Sequence, residues 1–103
     1  MSKKFVSTMR KGFHMTFENG LTASVQWGCG NYCDNRFDRN YSFDTYAESN
    51  TAEVAVFNEK MEFINANDFV PDECQSPDDV CGYMTPEQVV DFLYAVRTAK
   101  PIR

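Results

Sequence analysis

Four cysteines and one histidine are the residues of this chain with the strongest capacity for metal binding or nucleophilic chemistry. The cysteines occur as Cys29-x3-Cys33 and Cys74-x6-Cys81, and both gaps are longer than the two-residue knuckle that commonly seats two sulfurs on one zinc ion. We therefore predict no metal site and no cofactor. Since the segment MSKKFVSTMRKGF lacks the apolar core of a signal peptide, the thiols are expected to be reduced, although pairing or metal binding stays open if the fold brings them together.

A cysteine nucleophile would need His14 as its base, because the chain has no second histidine. His14 falls on the face of a predicted strand opposite Phe13 and Met15, where an ordinary exposed or half-buried histidine is typical. A Cys–His enzyme stays an alternative, and it requires a cleft that joins His14 to Cys29 or Cys33. We predict instead a protein that is not an enzyme.

Two further motifs look like catalytic ones but lack their defining partners. Gly28-Cys29-Gly30-Asn31 follows a predicted strand, yet no helix start and no Lys-Ser or Lys-Thr pair follows to hold phosphate. The carboxylate pairs Asp72-Glu73 and Asp78-Asp79 lie among prolines and serine, which is typical of a solvated acidic loop rather than of a desolvated acid–base site.

The segment from Trp27 to Tyr46 interleaves aromatic rings with amide, carboxylate and guanidinium groups. Aromatic faces give contact area or stacking, Asn and Asp give directed hydrogen bonds, and Arg gives a bidentate fork for carboxylate or phosphate. This mixture favours recognition, although half of the rings could equally cover the sheet face that the helix leaves bare. The predicted binding residues are Trp27, Asn31, Tyr32, Asn35, Arg36 and Arg39.

Charge is distributed unevenly along the chain. The net value is −5, but the first 11 residues carry +4, and the region from Asp44 to Asp91 holds twelve carboxylates against one cation, Lys60. That acidic region repels phosphate backbones, so general nucleic-acid binding is disfavoured, whereas occupation of a basic groove as a DNA mimic stays open as an alternative. No apolar run approaches the ~20 residues that span a bilayer, and we expect no membrane association.

A first β-hairpin is predicted from the alternation of apolar and polar residues over 13–17 and 21–27, with Asn19-Gly20 between the two runs. A three-residue loop, 18–20, keeps the apolar faces together if Gly20 is left-handed in a bulge. This loop pairs Phe17 with Leu21, Met15 with Ala23 and Phe13 with Val25.

A second hairpin is predicted over 52–64. Because Asn58-Glu59 suits a primed two-residue turn poorly, we expect a four-residue loop over 57–60. This loop places Val54 and Val56 opposite Phe63 and Met61. Two long segments, 28–50 and 65–84, show no clear period, and 41–46 could be a further strand.

A C-terminal helix is predicted from Pro86 to Ala99. Thr85 is its expected N-cap, Gln88 completes a Thr-x-x-Gln capping box, and Pro101 lies beyond its end. The apolar stripe of the helix consists of Val89, Phe92, Leu93 and Val96.

These elements together predict an α+β fold: an antiparallel sheet of two β-hairpins, with four strands or with five if 41–46 is a strand, packed on one face by the C-terminal helix. A chain of 103 residues fits a single domain, 1–103. Within that domain, residues 1–11 form a basic N-terminal segment that can be flexible.

The segments GFHMTFENGLTASVQWGCGNYCDNR, NTAEVAVF and MTPEQVVDFLYAV are similar to small uncharacterised accessory proteins of tailed bacteriophages. The motif of this resemblance is structural rather than catalytic, and no activity transfers with it residue by residue. It implies a protein of the host cytoplasm that binds and blocks a host factor by protein–protein contact, as counter-defence or in host takeover. An alternative ligand is a small nucleotide signal in a pocket between subunits of a homo-oligomer, with Arg36 or Arg39 on its phosphate.

Overall fold

The computed structural model describes residues 4–34, 36–37 and 47–100, which form a six-stranded antiparallel sheet packed against one helix. The strands run in the order β1-β2-β3-β4-β5, and β6 also pairs with β4. The predicted α+β class is therefore confirmed, while the further strand suggested for 41–46 lies outside the described residues. The elements are β1 (Phe5–Ser7), β2 (Gly12–Thr16), β3 (Thr22–Gln26), β4 (Ala52–Phe57), β5 (Phe63–Ile64), β6 (Cys81–Met84) and α1 (Pro86–Thr98).

The first hairpin, β2–β3, has the predicted register. Gly20 has a φ of 88°, and the Phe17 N–H donates to the Leu21 carbonyl at 2.9 Å, as a three-residue bulged loop requires. The cross-strand pairs are the expected ones, Phe13 with Val25 and Met15 with Ala23.

Replacing Gly20 by valine should destabilise the protein by about 2 kcal/mol, because a β-branched residue tolerates positive φ poorly. A Cβ at this position would also lie 2.8 Å from Cγ of Glu59, whose side chain would have to move. Thermal unfolding of Gly20→Val and of Gly20→Asn tests this, since Asn adopts the left-handed region more readily and should lose less stability. An unchanged melting temperature in the valine variant would contradict the bulged turn.

The second hairpin, β4–β5, does not have the predicted register. The prediction placed Val54 and Val56 opposite Phe63 and Met61. In the structure Phe57 pairs with Phe63 and Val56 pairs with Ile64. Consequently Ile64, and not Phe63, shares the helix-facing side with Val56, and the Phe63 side chain is 58% exposed.

The predicted four-residue loop fails because the Asn58 side chain organises a longer turn. Its Oδ1 accepts from the backbone N–H groups of Lys60 at 2.9 Å and Glu62 at 3.0 Å. Met61 takes up the left-handed conformation with a φ of 60°. An Asn side chain that bonds the following backbone is a local turn signal, but a methionine in this conformation is not expected from propensity.

Helix α1 has the predicted start and buries the predicted stripe. The Thr85 side chain accepts from the Gln88 N–H, and the Gln88 side chain accepts from the Thr85 N–H at 2.9 Å, which completes the capping box. Ala99, the predicted last residue, is the C-cap. Phe92 and Val96 are fully buried against the sheet, and Val89 and Leu93 pack beside them.

The turn of the first hairpin also binds the end of α1. Asn19 Nδ2 donates to the carbonyls of Val96 at 2.8 Å and Ala99 at 2.9 Å, while its Oδ1 accepts from the Leu21 N–H at 3.0 Å. One side chain therefore binds two carbonyls at the end of the helix and fixes the hairpin beside it.

The basic N-terminal segment contributes an edge strand, and the second long segment contributes another. In β1, Phe5 pairs with Met15 of β2. In β6, Ala52 of β4 pairs with Met84, and Cys81 lies opposite Val54 beyond an irregularity in the register. Within the described part of the chain, no helix has the length and apolar character needed to cross a membrane.

Candidate binding cleft

A cleft of about 420 Å³ lies where the loop after β3 approaches β6 and the segment before it. It combines aromatic rings, amides and carboxylates, the residue types that small recognition sites use for contact area and for orientation. The residues that line it are Tyr32, Glu73, Cys74, Gln75, Ser76, Pro77, Asp78, Val80, Gly82, Tyr83 and Gln88.

The first wall of the cleft is held by a carboxylate from β4. Glu53 accepts from Asn31 Nδ2 at 3.2 Å and from the Tyr32 N–H at 3.0 Å. Asn31 Oδ1 in turn accepts from the Gly28 N–H at 2.9 Å. Hydrogen bonds to an ionised carboxylate are stronger than those between neutral groups. Glu53 therefore fixes the backbone position of Tyr32 in the loop.

Tyr32 then packs directly on β6. The Tyr83 N–H donates to the Tyr32 carbonyl at 2.9 Å, and a Cβ added at Gly82 would lie 2.8 Å from that same oxygen and closer still to the Tyr32 Cβ. Gly82 is therefore required for this close approach of two backbones.

Tyr83 presents its ring at the cleft from a strained backbone. Its φ is 55°, and its side chain is 51% exposed. A non-glycine residue in this conformation costs about 1–3 kcal/mol, and such residues cluster at functional sites. An exposed aromatic side chain held at that cost is an observation that points to binding.

The opposite wall is organised by Asn67, in a 3-10 helix that runs from Ala66 to Phe69. Asn67 Nδ2 donates to the carbonyls of Ser76 at 3.0 Å and Asp78 at 2.8 Å and to Asn65 Oδ1 at 2.8 Å. Its Oδ1 accepts from the Ser76 N–H at 2.7 Å and from Cys81 Sγ at 3.3 Å. Three of these five contacts reach Ser76 and Asp78 and make the segment 73–80 a fixed wall, in place of the loop without regular structure that the sequence suggested.

Trp27, one of the predicted binding residues, supports the fold. Its Nε1 donates to the Ala47 carbonyl at 2.9 Å, and its ring lies edge-on to Phe13 at a centroid distance of 6.3 Å. Trp27 is half-buried and packs against the core, so it lies away from the residues that line the cleft.

Of the other predicted binding residues, Tyr32 lines the cleft, and Arg36 contacts the Tyr32 ring. The Arg36 guanidinium lies 4.4 Å from the centroid of the Tyr32 ring and 5.2 Å from that of Phe37. Asn31 positions the loop through its bonds to Glu53. Asn35 and Arg39 lie outside the described residues. The structure thus brings together Asn31, Tyr32 and Arg36.

Three residues of the site were not predicted from the sequence: Glu53 and Asn67, which hold its walls, and Tyr83, which lines it. A partial signal was present for Asn67, since Asn65-x-Asn67 is typical of side chains that bond nearby backbone. Nothing local distinguishes Tyr83, because its conformation follows from its pairing with Tyr32.

His14, the only base for a cysteine nucleophile, lies on the sheet face opposite α1. Its ring centroid is 5.5 Å from that of Phe57, and burial lowers the pKa of the imidazole below its ordinary value. Cys29 is exposed and Cys33 is buried. In the described part of the chain, none of these three residues lines the cleft.

The thiols beside the cleft are poorly suited to nucleophilic chemistry. Burial, with a smaller contribution from the Glu73 carboxylate, raises the pKa of the Cys74 thiol above its ordinary value. Burial and the neighbouring Cys74 raise the pKa of Cys81, against a hydrogen bond from Ser76 that lowers it. Over residues 4–34, 36–37 and 47–100, no three His, Cys, Asp or Glu side chains are placed to hold a metal ion.

Alkylation by iodoacetamide at neutral pH should modify Cys29 first and Cys74 much more slowly, because Cys29 is exposed and the raised pKa of Cys74 leaves less thiolate. The buried Cys33 and Cys81 should react only on unfolding. Peptide mass spectrometry over a time course measures these rates, with the urea-unfolded chain as the control in which all four react. Modification of Cys74 as fast as Cys29 would contradict its environment in the structure.

In comparisons with known proteins, no family model, no curated protein and no solved structure matches this chain. The interpretation of the cleft therefore depends on its own residues. These form a polar, aromatic and acidic cleft on an α+β scaffold.

Proposed function

We propose that the protein is a non-enzymatic binding protein that acts by protein–protein contact, with the cleft around Tyr32 and Tyr83 as its binding site. The observation that carries this proposal is the exposed Tyr83 ring, held in a left-handed backbone conformation beside Tyr32. Tyrosine is among the residues that contribute most to binding energy in protein interfaces.

Preorganisation of both walls supports the same proposal. Glu53 fixes the wall that carries Tyr32, and Asn67 fixes the wall opposite. A surface that is already ordered loses less conformational entropy when a partner binds. Side chains placed for chemistry would instead need a nucleophile or an acid–base pair within hydrogen-bond reach, whereas Cys74, which lines the cleft, has a raised pKa.

A host protein is the proposed class of partner, with counter-defence or host takeover as the proposed role. This step depends on the resemblance to bacteriophage accessory proteins, since the cleft itself specifies chemistry rather than a host. A small nucleotide is less favoured, because Glu73 and Asp78 line the cleft and would repel its phosphate.

The proposal is tested by capture from host lysate with wild-type protein, Tyr83→Gly and Tyr94→Ala. Glycine removes the ring and adopts positive φ without strain, so this variant should stay folded. Tyr94 is a matched control, because it is a tyrosine on α1 with 65% exposure.

We expect one protein to be retained by wild type and by Tyr94→Ala and to be lost with Tyr83→Gly. Its direct binding to the purified protein is then measured by calorimetry with the same three chains. Retention by all three chains, or by none, would contradict the proposal, and so would measurable turnover of a substrate that depends on the cleft.

A further inference from the structure

We infer that the cleft receives a cationic side chain, arginine or lysine, from a basic segment of the partner protein. The inference rests on the proposed function and adds the chemistry of the ligand.

The charged side chains that line the cleft are of one sign, although Arg36 lies beside it on the Tyr32 ring. Glu73 and Asp78 line the cleft, and no lysine or arginine does so among the residues that the structure describes. Asp72 and Asp79, both exposed, flank these two in sequence. A concave site lined by one sign of charge concentrates ligands of the opposite sign and excludes ligands of its own.

The tyrosine rings suit the same ligand. Lysine and arginine are attracted to the faces of aromatic rings within about 6 Å of the centroid. At the cleft, Arg36 of the protein itself already lies 4.4 Å from the centroid of the Tyr32 ring. Tyr83 supplies a second, more exposed ring for a ligand. A cation placed beside the Tyr83 ring and the carboxylates gains two attractions at once.

The amide of Gln75 presents an acceptor. Its Nε2 donates to the Asn67 carbonyl at 2.8 Å, which directs the amide and leaves Oε1 at the other end of the group. Carboxylates only accept hydrogen bonds, while guanidinium and ammonium groups only donate them. The polar groups at Gln75, Glu73 and Asp78 therefore complement a donor-rich ligand.

The volume of the cleft limits the ligand to a small group. About 420 Å³ lies at the low end of ligand-sized cavities, which start near 300 Å³. This size suits one long side chain with its adjoining backbone. A basic segment would therefore place one anchoring residue in the cleft and keep its other charges on the acidic rim.

The test is an NMR titration of the ¹⁵N-labelled full chain with acetylated, amidated pentapeptides that differ at the central residue only. The central residue is Arg, Lys, Gln or Glu, flanked by glycines. We expect the Arg and Lys peptides to shift the backbone signals of Gln75, Gly82 and Tyr83, with saturation at physiological salt. The Gln and Glu peptides should leave these signals in place.

Two double variants separate local recognition from general charge attraction. Glu73→Gln with Asp78→Asn removes both cleft carboxylates, and Glu18→Gln with Asp91→Asn makes the same change of net charge at exposed positions outside the cleft. Affinity for the Arg peptide should fall at least about tenfold in the first double variant and stay near wild type in the second.

Equal weakening in both double variants, equal shifts with the Gln peptide, or no saturable shift with any peptide would overturn the inference. These outcomes are distinct from failure of the proposed function. A captured partner whose binding requires Tyr83 but is not inhibited by the Arg peptide would support the binding function. The same result would contradict the proposed cationic ligand. Loss of both would remove both.

Discussion

Replacing Phe92 by alanine should lower the free energy of unfolding by about 3–5 kcal/mol. Phe92 has 0% exposure and is among the largest fully buried side chains, at the centre of the face that α1 lays on the sheet. The substitution removes the ring and leaves a cavity that the strands β3 and β4 cannot fill without shifting. Because small domains are stable by only about 5–15 kcal/mol, this loss is a large fraction of the total.

Urea denaturation followed by circular dichroism measures this loss, and Tyr94→Ala is the matched control on the same helix. Tyr94 is 65% exposed, so its truncation should change stability by less than about 0.5 kcal/mol. Both variants replace an aromatic residue by the best helix former, which removes helix propensity as an explanation for any difference between them. A loss below about 1 kcal/mol in Phe92→Ala would contradict the packing of α1 on the sheet.

The elements predicted correctly from the sequence are those whose signals are local. Asn19-Gly20 between two alternating runs specifies the first hairpin, because the register must keep both apolar faces on one side of the sheet. Thr85 and Gln88 specify the start of α1 through bonds made within four residues. In both cases the interactions that determine the structure join residues that are close together in the sequence, so a local sequence pattern can indicate them.

The second hairpin shows where such patterns fail. Asn58 could have indicated that its side chain organises the turn, but the resulting loop needs Met61 at positive φ. Methionine has no local preference for that conformation. The longer loop pairs Ile64 with Val56 and places Ile64 on the helix-facing side of the sheet. Packing of Ile64 on that side therefore favours this register over the one that the shorter loop would give.

The two strands that the sequence did not indicate are short and lack alternation. In β1 the three residues are all exposed, and in β6 Gly82 and the left-handed Tyr83 interrupt any period. Each strand exists because a neighbouring strand, β2 or β4, offers unpaired backbone groups. Such pairing depends on residues that are distant in the chain, so a short stretch of sequence does not indicate it.

The candidate site divides in the same way. Tyr32 was predicted because the loop after β3 is rich in aromatic and amide groups, and it does line the cleft. Glu53, Asn67 and Tyr83 were not predicted, since each acts on backbone that lies between nine and about fifty residues away in the chain. A composition argument identifies groups that can bind, while long-range hydrogen bonds decide which of them face the same cavity.

The geometry of the cleft depends on a few polar side chains that hold its two walls. The Glu53 carboxylate holds one wall through two bonds, and the Asn67 amide holds the other through three. Neither residue needs to touch the ligand for its loss to affect binding, because each sets the position of the groups that do. Asn67 makes more of these bonds than Glu53, so its replacement is the more sensitive test of how the cleft walls are held.

Replacing Asn67 by alanine should lower the free energy of unfolding by about 3 kcal/mol and open the wall formed by 73–80. The substitution removes an amide whose two N–H groups are shared among three acceptors and whose oxygen accepts two bonds, and each full bond has a net contribution of about 0.5–1.5 kcal/mol. It also leaves the Ser76 N–H and the Ser76 carbonyl without their Asn67 partner, while the Asp78 carbonyl keeps its bond from the Ser76 hydroxyl. The amide of Ser76 should then exchange with deuterium much faster than in wild type.

The variant Asn67→Asp distinguishes the contribution of the acceptor Oδ1 from that of the donor Nδ2. The aspartate keeps the acceptor for the Ser76 N–H but loses the three Nδ2 bonds. Its stability should therefore lie between wild type and Asn67→Ala at neutral pH, while protection of the Ser76 amide is retained. Asn50→Ala, at an exposed position, serves as the control and should show neither effect. Equal exchange at Ser76 in wild type and Asn67→Ala would show that the wall is held by other contacts, and the account of the cleft as a preorganised site would then be wrong.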